Sequence, residues 1–149
     1  MTVLALIRPD SWNVALLLHI AGAAVFFGAL LTMVAATLTA DRSPQPAQLR
    51  RLGFRALLFV GLPAYLVMRA GAQSIYDKEF GDAGNDPTWI GIGFGVADLG
   101  LLLFLIALVF TGIAARKSES RLARPAGIIG AVLLVALVIA VWAMGAKPS

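Results

Sequence analysis

The side chains that could do chemistry are few, and four of them interrupt long apolar stretches of the sequence. His19, the only histidine in the chain, lies within LLLHIAGAAVFFG (16–28). Tyr65 and Arg69 lie in a second apolar stretch and Asp98 lies in a third. Ionisable residues inside such segments are costly and are often functional. These four residues are therefore the candidate ligand-binding residues, and His19 is also the candidate metal ligand.

The same inventory argues against an enzyme. The chain has no cysteine, which excludes thiol catalysis, thiolate metal sites and disulfides. No activated nucleophile, paired carboxylates or cluster of histidines is recognisable in the sequence. A single histidine could complete a two-histidine haem site only if two subunits each supplied one. Met33, Met68 and Met144 could serve as soft copper ligands or simply fill apolar space.

The composition places these residues in a membrane. Of the 149 residues, 60% are hydrophobic and 13% are charged, whereas soluble domains carry about 25% charged residues. Crossing the hydrocarbon core takes about 20 residues of helix, because backbone polar groups need partners within the segment. Four segments are long enough: residues 12–39, 53–72, 89–115 and 126–146. We predict an all-α, single-domain bundle of four transmembrane helices over residues 1–149, in contact with the lipid bilayer.

The distribution of charge predicts how the bundle is oriented. Eight of the 12 Lys and Arg residues lie in loops 40–52 and 116–125 or, as Arg55, beside them. Loop 73–88 is instead acidic. Basic loops stay in the cytoplasm, so we predict a multi-pass protein of the bacterial inner (cell) membrane with both termini outside. The net charge of +4 is then explained by topology, and we expect no nucleic-acid partner.

Helical rise gives each candidate residue a depth. At about 1.5 Å per residue, His19 lies about 10 Å below Trp12, and Asp98 lies about 14 Å below Trp89. Arg69 is expected one turn from the outer end of the second helix, with Tyr65 one turn deeper. All four candidates are therefore expected in the outer half of the bundle.

Small residues suggest which helix faces pack together. Gly22 shares a helix face with His19, and Gly91 and Gly95 share a face with Asp98. We therefore expect His19 and Asp98 to face the interior and Gly91–Gly95 to pack tightly. Tyr65 and Arg69 share one face of the second helix. Pro63 should kink that helix, because it removes the donor for the carbonyl of Phe59.

The first helix resembles a known group of proteins. The stretch HIAGAAVFFGALL, with His19, Phe27 and Gly28, is similar to small bacterial four-helix membrane proteins grouped with the copper-resistance protein D membrane domain. The four-helix membrane protoporphyrinogen oxidase has a similar histidine in its first helix. The resemblance implies a four-helix architecture and a ligand role for His19. It implies no activity.

Two classes of function stay open at this point. In the first, the chain is a non-enzymatic membrane module, either an accessory subunit or a homo-oligomer, and His19 and an Arg69–Asp98 ion pair hold helices together. In the second, the outer half around His19 and Asp98 binds haem, copper or a small ligand. Proton-coupled transport through Asp98 is a third interpretation, and with only four helices it would require a dimer.

Overall fold

The structure, a computed structural model, describes residues 12–81, 87–117 and 121–146. The described residues form helices and short connections, with no strand among them. The helices are α1 (Asn13–Thr39), a 3-10 turn (Ala40–Arg42), α2 (Pro46–Arg55), a π segment (Ala56–Gly61), α3 (Leu62–Glu79), α4 (Thr88–Arg116) and α5 (Ala123–Ala146). α2, the π segment and α3 follow one another without a break, so the chain makes four long helices. The predicted all-α bundle of four membrane-spanning helices is confirmed.

The second long helix extends beyond its predicted bounds of 53–72. It runs from Pro46 to Glu79, because hydropathy marks only the part that matches the hydrocarbon core and not the polar turns at each end. Pro46 occupies the first turn, where its missing N–H costs nothing. Beyond the helix, Gly81 has a φ of 50°. Arg69 therefore lies about 15 Å from the helix end, not one turn from it as predicted.

The outer surface of the bundle is apolar. Large hydrophobic side chains are exposed on every long helix, including Leu17 at 66%, Phe59 at 69% and Val141 at 69%. A water-soluble domain rarely exposes a contiguous apolar surface of this kind. Length, hydropathy and exposure together fit four helices in contact with lipid.

α1 and α3 cross at two glycines. A Cβ atom on Gly22 would lie 2.6 Å from the backbone nitrogen of Met68, and one on Gly71 would lie 2.6 Å from the backbone nitrogen of His19. Only glycine allows backbones to approach this closely. The prediction that the His19 face of α1 packs against another helix is confirmed, and the partner is α3.

The core lies midway along the bundle. The rings of Phe26, Tyr65 and Phe104 contact one another with centroids 5.3–6.3 Å apart, and all three side chains are buried. Around this cluster, α1 lies between α3 and α5, and α5 lies between α1 and α4.

The second long helix leaves α4 as it passes along the bundle. Its α2 part packs on α4, where the Phe54 ring lies against Gly112. Its α3 part makes few close backbone contacts with α4. Between the two parts lies the π segment, which ends two residues before Pro63. We call the two ends of the bundle the basic end, next to residues 40–52, and the acidic end, next to residues 73–88. The separation of α3 from α4 leaves space toward the acidic end.

Candidate ligand-binding cavity

A cavity of about 340 Å³ fills the space between α1, α3, α4 and α5 in the half of the bundle at the acidic end. This volume is at the lower end of the range of about 300–1,000 Å³ that small-molecule sites occupy. The walls are mainly apolar, and include Leu16, Ala23, Met68, Ala72, Ile90 and Leu137. Two predicted site residues, His19 and Arg69, line the cavity as well.

His19 is held in a single tautomer by a neighbouring helix. Its Nδ1 atom lies 3.1 Å from the backbone carbonyl oxygen of Met68. A carbonyl oxygen only accepts hydrogen bonds, so Nδ1 carries the proton and donates. Nε2 is left without a hydrogen-bond partner among the described residues, and in the neutral ring it carries the lone pair. A histidine that donates one ring N–H to a backbone carbonyl is oriented in the way that metal-bound histidines usually are.

The donors for a metal are nevertheless sparse. Within the described ranges, no group of three or more His, Cys, Asp or Glu side chains could hold a metal ion. Met68 and Met144 line the cavity with His19, whereas Met33 is buried next to Thr37. Among the described residues that line the cavity, a soft metal could therefore meet one ring nitrogen and at most two sulfur donors.

Arg69 lies at the side of the cavity that faces the gap between α3 and α4. Its Nη2 donates to Oδ1 of Asp98 at 3.3 Å, and its Nη1 donates to Oε1 of Gln73 at 3.4 Å. Its Cζ lies 4.7 Å from the centre of the Phe94 ring. Charge-assisted hydrogen bonds are usually about 2.7–2.9 Å long, so both polar contacts of Arg69 are long. The predicted Arg69–Asp98 ion pair is present, and it is a loose one.

Asp98 does not face the interior, and that part of the prediction is wrong. Its side chain is 65% exposed on the outer surface of the bundle. α4 instead buries the face that carries Phe104, Ala107 and Thr111. In a helix that is apolar on all sides, small residues alone do not identify the packed face. The positions beside Asp98 confirm this, because a Cβ on Gly91 or Gly95 would have nothing within 4 Å.

The glycine run at the start of α4 packs only in part. Gly93 does pack as predicted, since a Cβ there would lie 2.7 Å from the terminal methyl group of Met144 on α5. Gly91 and Gly95 lie on the exposed side of α4. The run therefore serves two faces of the helix, only one of which is covered by this chain.

Tyr65 lies apart from the cavity lining, in the aromatic core. Its hydroxyl donates to the carbonyl oxygen of Ala97 at 3.1 Å, and its side chain is buried. This hydrogen bond joins α3 to α4 just below the Arg69–Asp98 pair. Tyr65 therefore fixes the width of the gap between the two helices.

An aromatic rim around the cavity escaped the sequence analysis. Tyr76 contacts Phe80 and Phe94 with ring centroids 5.8 and 5.1 Å apart, and Phe80 contacts Trp89 at 6.0 Å. All four rings line the cavity. The signal in the sequence was the set of four aromatic residues that flank the acidic loop, a position typical of interfacial aromatic belts.

Comparison of the chain with protein-family models, curated proteins and solved structures found no match. Fold and site therefore define the class by themselves. The chain is a small protein of four membrane-spanning helices with a cavity in one half of its bundle.

Proposed function

We propose that this protein binds a small, mainly apolar molecule in the cavity at the acidic end, with His19 as a polar anchor. The observation that carries this proposal is the position of His19 in a cavity with mostly apolar walls, with Nδ1 bonded to Met68 and Nε2 without a partner among the described residues. The hydrogen bond to α3 would be enough for a packing role, but it involves only one of the two ring nitrogens. Here the ring lines a cavity and is oriented through Nδ1.

The layout of the helices supports the same proposal. The second long helix packs on α4 through α2 at the basic end and separates from it along α3, so between α3 and α4 the cavity is closed toward the lipid by side chains alone. Side chains can rotate aside and open a passage more readily than two packed helix backbones can separate. An apolar molecule dissolved in the bilayer could therefore enter between α3 and α4 without first passing through water.

The test uses ω-bromododecanol as the probe and Trp89, on the rim of the cavity, as the reporter, because bromine quenches indole fluorescence at short range. Trp12 and Trp142 are replaced by Phe, and the protein is reconstituted in phosphatidylcholine bilayers. We expect saturable quenching of Trp89. In Ala72→Phe, which fills the cavity from α3, the saturable component should be lost.

The matched control is Ala70→Phe, two residues away on the exposed surface of α3. It adds the same side chain to the same helix outside the cavity and should leave the quenching unchanged. Equal, non-saturable quenching in all three proteins would mean that the probe reaches Trp89 only through the bilayer, and the proposal would fail.

A second candidate function is that of a subunit in a larger membrane assembly, including a homo-oligomer. It is favoured by the exposed face of α4, which carries Gly91, Gly95 and Asp98 and continues through Leu102 at 56% exposure. A carboxylate that faces lipid is costly, and a Gly-x-x-x-Gly face commonly packs against another helix. A partner helix on this face would cover both.

A further inference from the structure

We propose that the molecule bound in the cavity is an amphiphile with an anionic carboxylate or phosphate head, and that its head binds Arg69 in competition with Asp98. This inference rests on the proposed ligand-binding function and adds the chemical class of the ligand. It starts from the position of Arg69, which both lines the cavity and reaches the gap between α3 and α4.

Arg69 has unused capacity to donate. A guanidinium group carries five N–H donors in a planar fork that matches carboxylate and phosphate groups. In the described structure, Asp98 and Gln73 take one N–H each, over 3.3 and 3.4 Å. Three N–H groups are left for a ligand. The two hydrogen bonds already made are long, so a ligand could displace them.

Arg69 is the charged group that an anion would meet at this depth. Among the described residues, the carboxylates nearest the cavity are Asp98, which is already paired with Arg69, and Glu79 on the rim. Glu79 is ten residues further along α3, about 15 Å away along the helix axis. Asp77 accepts a hydrogen bond from Gln73 at 2.8 Å and points along the exposed surface of α3. Arg69 is thus the one cationic side chain among the described residues that line the cavity.

The remaining walls define the rest of the ligand. Beyond Arg69 the cavity is bounded by aliphatic side chains and by the rings of Tyr76, Phe80 and Phe94. Such walls accept a hydrocarbon chain or ring and offer little to a polar body. An anionic head at Arg69 with an apolar tail in the cavity matches both parts, and the gap between α3 and α4 lies at the head.

The experiment compares ω-bromododecanoic acid, at a pH that ionises it, with ω-bromododecanol in the same Trp89 quenching measurement. In the protein with Arg69 and Asp98 intact, the acid should bind more tightly than the alcohol. Arg69→Gln should remove this preference by weakening binding of the acid to the level of the alcohol. Asp98→Asn should tighten binding of the acid about fivefold, the ratio expected when a competing exposed ion pair worth about 1 kcal/mol is removed.

Tighter binding of the acid by Asp98→Asn would show that Asp98 competes with the ligand for Arg69. If the ion pair were merely structural, its loss would weaken binding instead. Arg55→Gln, at the basic end, is the control for a general loss of positive charge and should have no effect. Folding of each variant is checked by circular dichroism and thermal unfolding in detergent. A second arm replaces the acid with phosphatidylglycerol brominated in its chains, compared with brominated phosphatidylcholine, and distinguishes a lipid from a free acid as the source of the anion.

The outcomes separate the two proposals. Saturable binding of the alcohol with no preference for either anion would overturn the anionic ligand and leave the cavity as a binding site. A preference for the acid or for phosphatidylglycerol that persists in Arg69→Gln would also overturn it. Absence of saturable binding by every probe would overturn the proposed function itself.

Discussion

The hydrogen bond from His19 to Met68 allows a sharp test of what the imidazole does. His19→Gln keeps an N–H donor that can reach the same carbonyl, so we expect the free energy of unfolding to change by no more than about 1 kcal/mol. An amide is a poor ligand for soft metals. Any copper that the purified protein takes up through His19 should therefore be lost in the Gln variant while the fold is kept.

The measurement is metal analysis, with an absorbance spectrum, of both proteins purified in mild detergent. Met33→Leu, which removes a thioether away from the cavity, is the control and should retain the metal. If the protein with His19 takes up no copper, or if the Gln variant takes up as much, then His19 is not a metal ligand in this protein.

At this scale the sequence predicted the pairing of Arg69 with Asp98 and the position of His19 on a packed face of α1. Both follow from the cost of polar groups in a membrane, which requires each one to find a partner. The direction in which Asp98 points could not be predicted. α4 is apolar around its whole circumference, so no periodic pattern marks its buried face, and only packing against α5 and α2 decides it.

Among the helices, the closest approach is between α1 and α3. Gly22→Ala should be strongly destabilising, by about 2 kcal/mol or more, because its Cβ would lie 2.6 Å from the backbone of α3. A backbone atom within a helix cannot shift unless the whole helix moves. Gly28→Ala on the same helix meets nothing within 4 Å and should be neutral or stabilising, since alanine favours helix by about 0.5–1 kcal/mol over glycine.

Both variants are compared by thermal and denaturant unfolding in the same detergent. Gly71→Ala serves as a second probe from the α3 side and should resemble Gly22→Ala. Equal stability of the Gly22 and Gly28 variants would show that α1 and α3 are further apart in the membrane than this packing requires.

The number of helices and their order were predictable, because each apolar stretch must close its own hydrogen bonds in lipid. The crossing of α1 and α3 was partly predictable from Gly22. The π segment at Ala56–Gly61 was not, since Pro63 predicts only that a carbonyl loses its donor and not how the backbone accommodates the loss. The cavity depends on the resulting separation of α3 from α4, so neither its position nor its aromatic rim could be deduced from the sequence.

For the whole molecule, the exposed face of α4 makes a prediction about assembly. The chain has no cysteine, so a single introduced cysteine is the only thiol that can form a disulfide. If two copies pack through this face, Leu102→Cys should form a disulfide-linked dimer in membranes under mild oxidation. Val135→Cys, similarly exposed at 61% but on α5, should not. Equal cross-linking at both positions would indicate random collision and would argue against a homo-oligomer on the α4 face.

The orientation of the molecule in the membrane stays a prediction from charge. With eight basic residues near loops 40–52 and 116–125, the basic end should face the cytoplasm. Single cysteines at Ser43, next to α2, and at Lys78, in the last turn of α3, lie at opposite ends of the bundle. On intact cells, an impermeant thiol reagent should label Lys78→Cys and leave Ser43→Cys unmodified until the membrane is permeabilised. Labelling in the reverse order would place the cavity in the cytoplasmic half of the bilayer, so that an anionic amphiphile would have to enter from the inner leaflet.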